Sequence, residues 1–138
     1  MRPQTSSNKG THTSERALGK KLPAASEAEK ALLGALLLND ENVAQAVELL
    51  TPDDFYIYSH KTIYECIVTL SQRNERLDVV TLQNELEKKG ALEAVGGIAY
   101  LLELQENIPA LGLVTQHGKI IKEKSVLREL INSATGII

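Results

Sequence analysis

Ser26-Glu27-Ala28-Glu29-Lys30-Ala31-Leu32-Leu33-Gly34-Ala35-Leu36-Leu37-Leu38 is the stretch that sets the architecture. Ala28, Leu32, Ala35 and Leu36 recur at helical spacing, and Ala31, Leu33 and Leu38 widen the stripe. A helix apolar over so much of its circumference needs neighbours on several sides, so this segment reads as the central, buried helix of an all-α domain. Ser26 and Glu29 have the spacing of a capping box. The Ser26 hydroxyl would accept from the Glu29 amide, and the Glu29 carboxylate would reach back to the Ser26 amide.

Outward from this helix the chain alternates helix starts and stops. Asn39 or Asp40 is placed to cap a second helix carrying Val43, Ala46, Val47 and Leu50. Thr51-Pro52-Asp53-Asp54 is a further start, with proline at the first helical position and two carboxylates at the positive end of the dipole. Ser59 caps a longer helix running from His60 to about Arg73, apolar at Ile63, Tyr64, Ile67, Val68 and Leu70. Asp78 caps a helix with Leu82 and Leu86, which ends at Lys88-Lys89-Gly90. Gly96-Gly97 opens a helix with Ile98, Leu101, Leu102 and Leu104, stopped near Pro109. The last helical run extends from about Leu113 to Ile138. Ile120, Leu127 and Ala134 repeat every seven residues, joined by Leu130, Ile131, Ile137 and Ile138. No strand pattern competes with these segments.

The chain has 138 residues, 43% of them hydrophobic but only 4% aromatic, with one Phe and no Trp. The core is therefore expected to be built mainly from Leu, Ile, Val and Ala. No apolar run approaches the ~18–20 residues that span a bilayer. A single cysteine excludes an internal disulfide framework and a cysteine-based zinc cluster. Residues 1–22 are polar and lack the apolar centre of a secretory signal, which leads to the expectation of a reduced, cytoplasmic setting. The formal charge of −3 divides unevenly. Residues 1–22 hold five basic residues and one acidic residue, a charge of +4, leaving 10 basic and 17 acidic residues and −7 for the remainder. The segment 1–22 is read as a disordered basic tail. The acidic body disfavours broad binding to phosphate backbones, so little direct DNA binding is expected.

Motifs for chemistry are missing. Gly19-Lys20 and Gly118-Lys119 are followed by Lys21 and Ile120, and neither has the earlier glycine of a phosphate-binding loop. Gly96-Gly97 is not preceded by a strand, so it reads as a turn into a helix. His12, His60 and His117 lie far apart, with no metal-ligand spacing. His60 is expected in a surface or capping role, Cys66 as a small core residue, and Asp53-Asp54 as complement to a helix dipole. No catalytic, metal-binding or cofactor-binding residue emerges. The residues alone support a small all-α interaction module. An enzyme with a convergent site and a DNA-binding module are the less supported alternatives.

Seven segments in order carry a family resemblance. They are Ser26-Glu27-Ala28-Glu29, Leu33-Gly34, Asp53-Asp54-Phe55-Tyr56, His60-Lys61-Thr62-Ile63, Asp78-Val79-Val80-Thr81-Leu82, Gly96-Gly97-Ile98-Ala99-Tyr100-Leu101 and Ile121-Lys122-Glu123-Lys124-Ser125-Val126-Leu127-Arg128. Together they resemble the N-terminal domain of bacterial replicative DNA helicases of the DnaB type. The resemblance implies a helical head at 23–110 and the first helix of a dimerisation hairpin at 111–138, truncated before its second helix. It implies a non-catalytic domain that pairs subunits in the collar of a hexameric ring and docks primase, with a helicase loader as a further partner. ATP and magnesium would belong to a RecA-like domain absent from this chain. Glu27 and Tyr100 match positions implicated in primase docking. Ile120, Leu127, Leu130, Ile131, Ala134, Ile137 and Ile138 would pair subunits. The alternative is a stand-alone regulatory protein of the same fold that binds helicase or primase.

Overall fold

In this computed structural model the described residues are 22–106 and 114–136. They form six α-helices and no strand. The helices are α1 (Ser26–Leu38), α2 (Val43–Leu49), α3 (Tyr58–Gln72), α4 (Val79–Lys88), α5 (Gly97–Glu106) and α6 (Val114–Thr135). Short 3-10 turns at Asp40–Asn42 and Pro52–Asp54 lead into α2 and the α3 loop. The expected all-α class holds. Residues 1–21 of the basic tail, the stop at Pro109 and the pairing candidates Ile137 and Ile138 lie outside the described residues.

The central place given to α1 is what its composition requires. Residues 31–37 are buried without a break, and α1 packs against α3, α5 and α6. Leu38, at its end, is 52% exposed and does not widen the buried face. Although aromatics are few, two of them sit in the middle of the core. Phe55 and Tyr64 are fully buried with ring centroids 4.7 Å apart, a tilted pairing worth about 1 kcal/mol beyond the area it buries. Val47, Ile98 and Leu102 share helical spacing with core residues but face outward.

Helix starts follow the sequence where the cap is local. Asp78 accepts from the Thr81 amide (2.8 Å), and the Thr81 hydroxyl accepts from the Asp78 amide (2.9 Å). The Asn39 side chain accepts from the Glu41 amide (3.0 Å), in the turn before α2. At α1 and α3 the expected caps are replaced. Ala25, not Ser26, is the N-cap of α1, and its carbonyl accepts from the Glu29 amide (2.9 Å). The Glu29 carboxylate does not turn back to Ser26. It points inward and accepts from the amides of Tyr56 (2.8 Å) and Ile57 (3.4 Å), just before α3. Glu29 thus serves as a cap supplied from another helix. It places negative charge at the positive end of α3, which starts at Tyr58 with no side chain of its own as cap.

Two glycines mark close approaches. Gly118 brings α6 against α2, where a Cβ would stand 2.6 Å from Leu49 Cδ2. The residue that failed as part of a phosphate loop is thus a contact point between helices. Gly96 has φ +113°, and a Cβ there would meet Tyr100 Cβ at 2.7 Å.

Candidate functional site

Two groups of exposed residues and two buried polar networks define what this domain can do. The first exposed group lies on α6. Its inner face repeats as a coiled-coil seam, with Val114, Gly118, Ile121, Ser125 and Arg128 buried against the head. Its outer face carries Ile120, Leu127, Leu130 and Ile131, exposed by 37–60%, and Ala134, also exposed. No residue of the helix beyond Arg128 is buried, so its last two turns stand clear of the head while keeping apolar side chains. Beside this stripe, Leu49, Lys119, Lys122, Glu123, Val126 and Leu127 line a shallow groove of about 370 Å³. Five of the seven pairing candidates therefore share one exposed helical surface.

The second group lies where the starts of α1 and α5 meet. Glu27 is exposed on the first turn of α1, and Tyr100 is half-buried on α5. The two are close enough for the charge on Glu27 to act on the Tyr100 phenol. Burial pushes that phenol up, and the charges of Glu103, Glu27 and Glu29 push it further. Lys30 reaches Glu103 across the same pair of helices (3.3 Å). The structure thus brings the two docking candidates together, although 73 positions separate them in sequence.

Beneath Tyr100 is a network that sequence spacing did not reveal. His60, expected near the surface, is 1% exposed. Its Nδ1 lies 2.8 Å from Glu29 Oε1 and its Nε2 lies 2.6 Å from Tyr100 Oη, with the two rings stacked at 5.9 Å. The Glu29 and His60 positions were visible as family motifs, but no local pattern connects residues 31 positions apart. Burying both is tolerable because each polar atom of the pair has a partner.

The other network fastens α6 to the head. Asp54 is 6% exposed, and its role goes beyond complementing a helix dipole. Its carboxylate accepts from the Ser125 hydroxyl (2.7 Å), the Lys122 ammonium (3.0 Å) and the Thr51 amide (2.8 Å). Burial pushes the Asp54 carboxyl up, but the Thr51, Ser125 and Lys122 bonds outweigh it and hold the group below its ordinary range. Arg128 donates to the carbonyls of Pro23 and Asp54 (2.8 Å each) and lies over the Tyr56 ring, 5.1 Å from its centroid.

Among the described residues, no cluster of His, Cys, Asp and Glu could hold a metal ion. No helix there is long and apolar enough to cross a membrane. Burial pushes the Cys66 thiol up to about 11, which suits the core role expected of it.

A helical head, a long helix fastened to it by buried polar groups, and two exposed faces make up the described part of the chain. Residues 21–123 match the family of DnaB-like helicase N-terminal domains. The chain belongs to that family, whose N-terminal domain is the non-catalytic part of a replicative helicase. It is 44% identical over 111 residues to the replicative DNA helicase DnaC of Bacillus subtilis, covering 80% of this chain and 24% of the relative. It is 41% identical to the replicative DNA helicase DnaB of Geobacillus stearothermophilus, covering 83% and 25%. The chain thus spans about a quarter of the length of these relatives. The crystal structure of the N-terminal domain of DnaB helicase from Mycobacterium tuberculosis superposes with a TM-score of 0.80 at 35% identity, covering 83% of each chain. The N-terminal domain of DnaB helicase from Helicobacter pylori, described with its interactions with primase, shares the fold at a TM-score of 0.67 and 18% identity. It covers 90% of this chain and 94% of that one.

Proposed function

We infer that this chain is an assembly domain of a cytoplasmic replicative helicase, which pairs subunits through α6 and docks primase on the face around Glu27 and Tyr100. Residues 23–110 act as the head and 111–138 as the first helix of a pairing hairpin. ATP hydrolysis with magnesium and DNA unwinding belong to a further domain of the whole helicase. The observation that carries this reading is the outer face of α6, where apolar side chains continue beyond the point at which the head ends. An amphipathic helix seamed on both sides has two partners, and the head is only one of them. The apolar gain is large: fully covering one leucine or isoleucine is worth ~1.5–3 kcal/mol, and the stripe has four such side chains with 37–60% of each exposed. Primase is supported as the second partner by the family and by the interaction described for the Helicobacter pylori domain.

Sedimentation over a range of protein concentrations, alone and with the C-terminal helicase-binding domain of primase, tests both functions. Self-association lost on Leu127→Asp/Leu130→Asp, and primase binding lost on Glu27→Ala/Tyr100→Ala, are the expected results. A chain that stays monomeric throughout and ignores primase refutes the reading.

A further inference from the structure

Of the three residues in the Glu29–His60–Tyr100 network, Glu29 and His60 are buried and Tyr100 is partly exposed. For a neutral His60, the geometry of the network fixes which way the Tyr100 hydroxyl points. Glu29 Oε2 takes the Tyr56 amide and Oε1 takes the Ile57 amide, and both backbone groups are obligate donors. The carboxylate is therefore an acceptor at both oxygens. His60 Nδ1, 2.8 Å from Oε1, has to bring the proton to that contact. In a neutral imidazole with Nδ1 protonated, Nε2 is a bare acceptor. Tyr100 Oη, 2.6 Å away, must then donate its proton inward to Nε2. The lone pairs of Oη are left facing away from the ring.

We propose that the buried Glu29–His60 pair fixes the hydrogen-bond polarity of Tyr100, so that this face offers an acceptor and selects a lysine, arginine or amide donor on its protein partner. Glu29 and His60 are positioning residues here, and Tyr100 makes the contact. The proposal rests on the docking role given to Glu27 and Tyr100 above. It adds the chemistry of the partner's contacting group, which a hydroxyl free to rotate would leave open. The acidic setting favours the same kind of partner. Glu27 is exposed beside Tyr100, and Glu103, which pairs with Lys30, lies on the same side of α5.

Two measurements on the full chain test this. The first is the ring ¹⁵N spectrum of His60 in the free protein at neutral pH, which distinguishes the two neutral tautomers from the imidazolium. A neutral ring protonated at Nδ1 is expected. A ring protonated at Nε2 alone, or at both nitrogens, overturns the proposal, because Tyr100 would then be free to direct its proton outward. The second is the affinity of Tyr100→Phe for the C-terminal domain of primase. Removing the hydroxyl while keeping the ring is expected to weaken binding about tenfold, the value of one hydrogen bond to a charged or amide donor. Full affinity in Tyr100→Phe, together with loss in Tyr100→Ala, overturns the proposal and leaves the docking role standing. Full affinity in Glu27→Ala and Tyr100→Ala removes the docking role, and the proposal falls with it.

Discussion

Replacing Asp54 with alanine should detach α6 from the head before the head itself unfolds. Beside a longer bond from the Thr51 hydroxyl (3.3 Å), the Asp54 carboxylate makes three contacts of unequal worth. The Ser125 hydroxyl is 6% exposed and bonds at 2.7 Å, so its loss leaves a buried donor without a charged acceptor, costing about 1.5–3 kcal/mol. The Thr51 amide, part-buried at 2.8 Å, adds roughly 1 kcal/mol. Lys122 is 43% exposed and contributes at most about 0.5 kcal/mol after screening by water. Removing the carboxylate also removes its own cost of burial, which offsets part of this sum. The net expectation is a loss of about 3 kcal/mol, a large fraction of the ~5–15 kcal/mol available to a domain. Urea unfolding gives the total, and hydrogen exchange locates it. Amides of α6 should lose protection while those of α3 keep theirs. The effect must also fade in acid. The folded carboxyl is held below its ordinary value of 3.8, so the unfolded chain takes up the proton first. The contribution is present above pH ~4 and is lost as pH falls through the folded value, so the difference between wild type and Asp54→Ala should shrink in that window. A loss under about 1 kcal/mol at neutral pH, or an equal difference at every pH, would show that the Asp54 carboxylate is not what holds α6 in place.

Four further outcomes follow from the packing and the buried polar groups. Gly118→Ile places a branched side chain where even a Cβ meets Leu49 at 2.6 Å, so it should cost at least ~2 kcal/mol in urea unfolding. Gly118→Ala should be near neutral, because a flexible leucine tip can yield and alanine favours the helix by ~1 kcal/mol. Cys66, fully buried with its thiol pushed up to about 11, should react with a thiol reagent only at the rate of unfolding; fast labelling of the native chain would contradict its placement. His60→Ala should lower the melting temperature, since it leaves Glu29 Oε1 and Tyr100 Oη without their shared partner at a cost of about 2–3 kcal/mol, and an unchanged melt would show the network contributes nothing to the fold.

The helices were legible because their signals are local. An apolar repeat in residues 26–38, an Asp78–Thr81 cap and the Lys88-Lys89-Gly90 stop each act within a turn or two, and each appears where the spacing put it. The apolar stripe of α6 was legible for the same reason. What was hidden is polar and distant in sequence. Glu29 matched a capping box by spacing, and the box did not form because two backbone amides and an imidazole near α3 offered the carboxylate more than one amide of its own helix. Asp53 and Asp54 looked equivalent as dipole partners. Only the structure separates them: Asp53 is exposed and Asp54 meets α6.

The division of labour on α6 has a physical logic. Its inner seam is apolar only at Val114 and Ile121, and from Ser125 onward it turns polar, ending in an Arg128 bonded to two carbonyls. Its outer face does the opposite and grows more apolar toward the same end. Apolar contact is permissive about register, whereas Asp54 with Ser125 and Arg128 with Pro23 and Asp54 accept one arrangement only. The polar pairs therefore set the rotation of the helix about its axis. That rotation aims Ile120, Leu127, Leu130 and Ile131 away from the head.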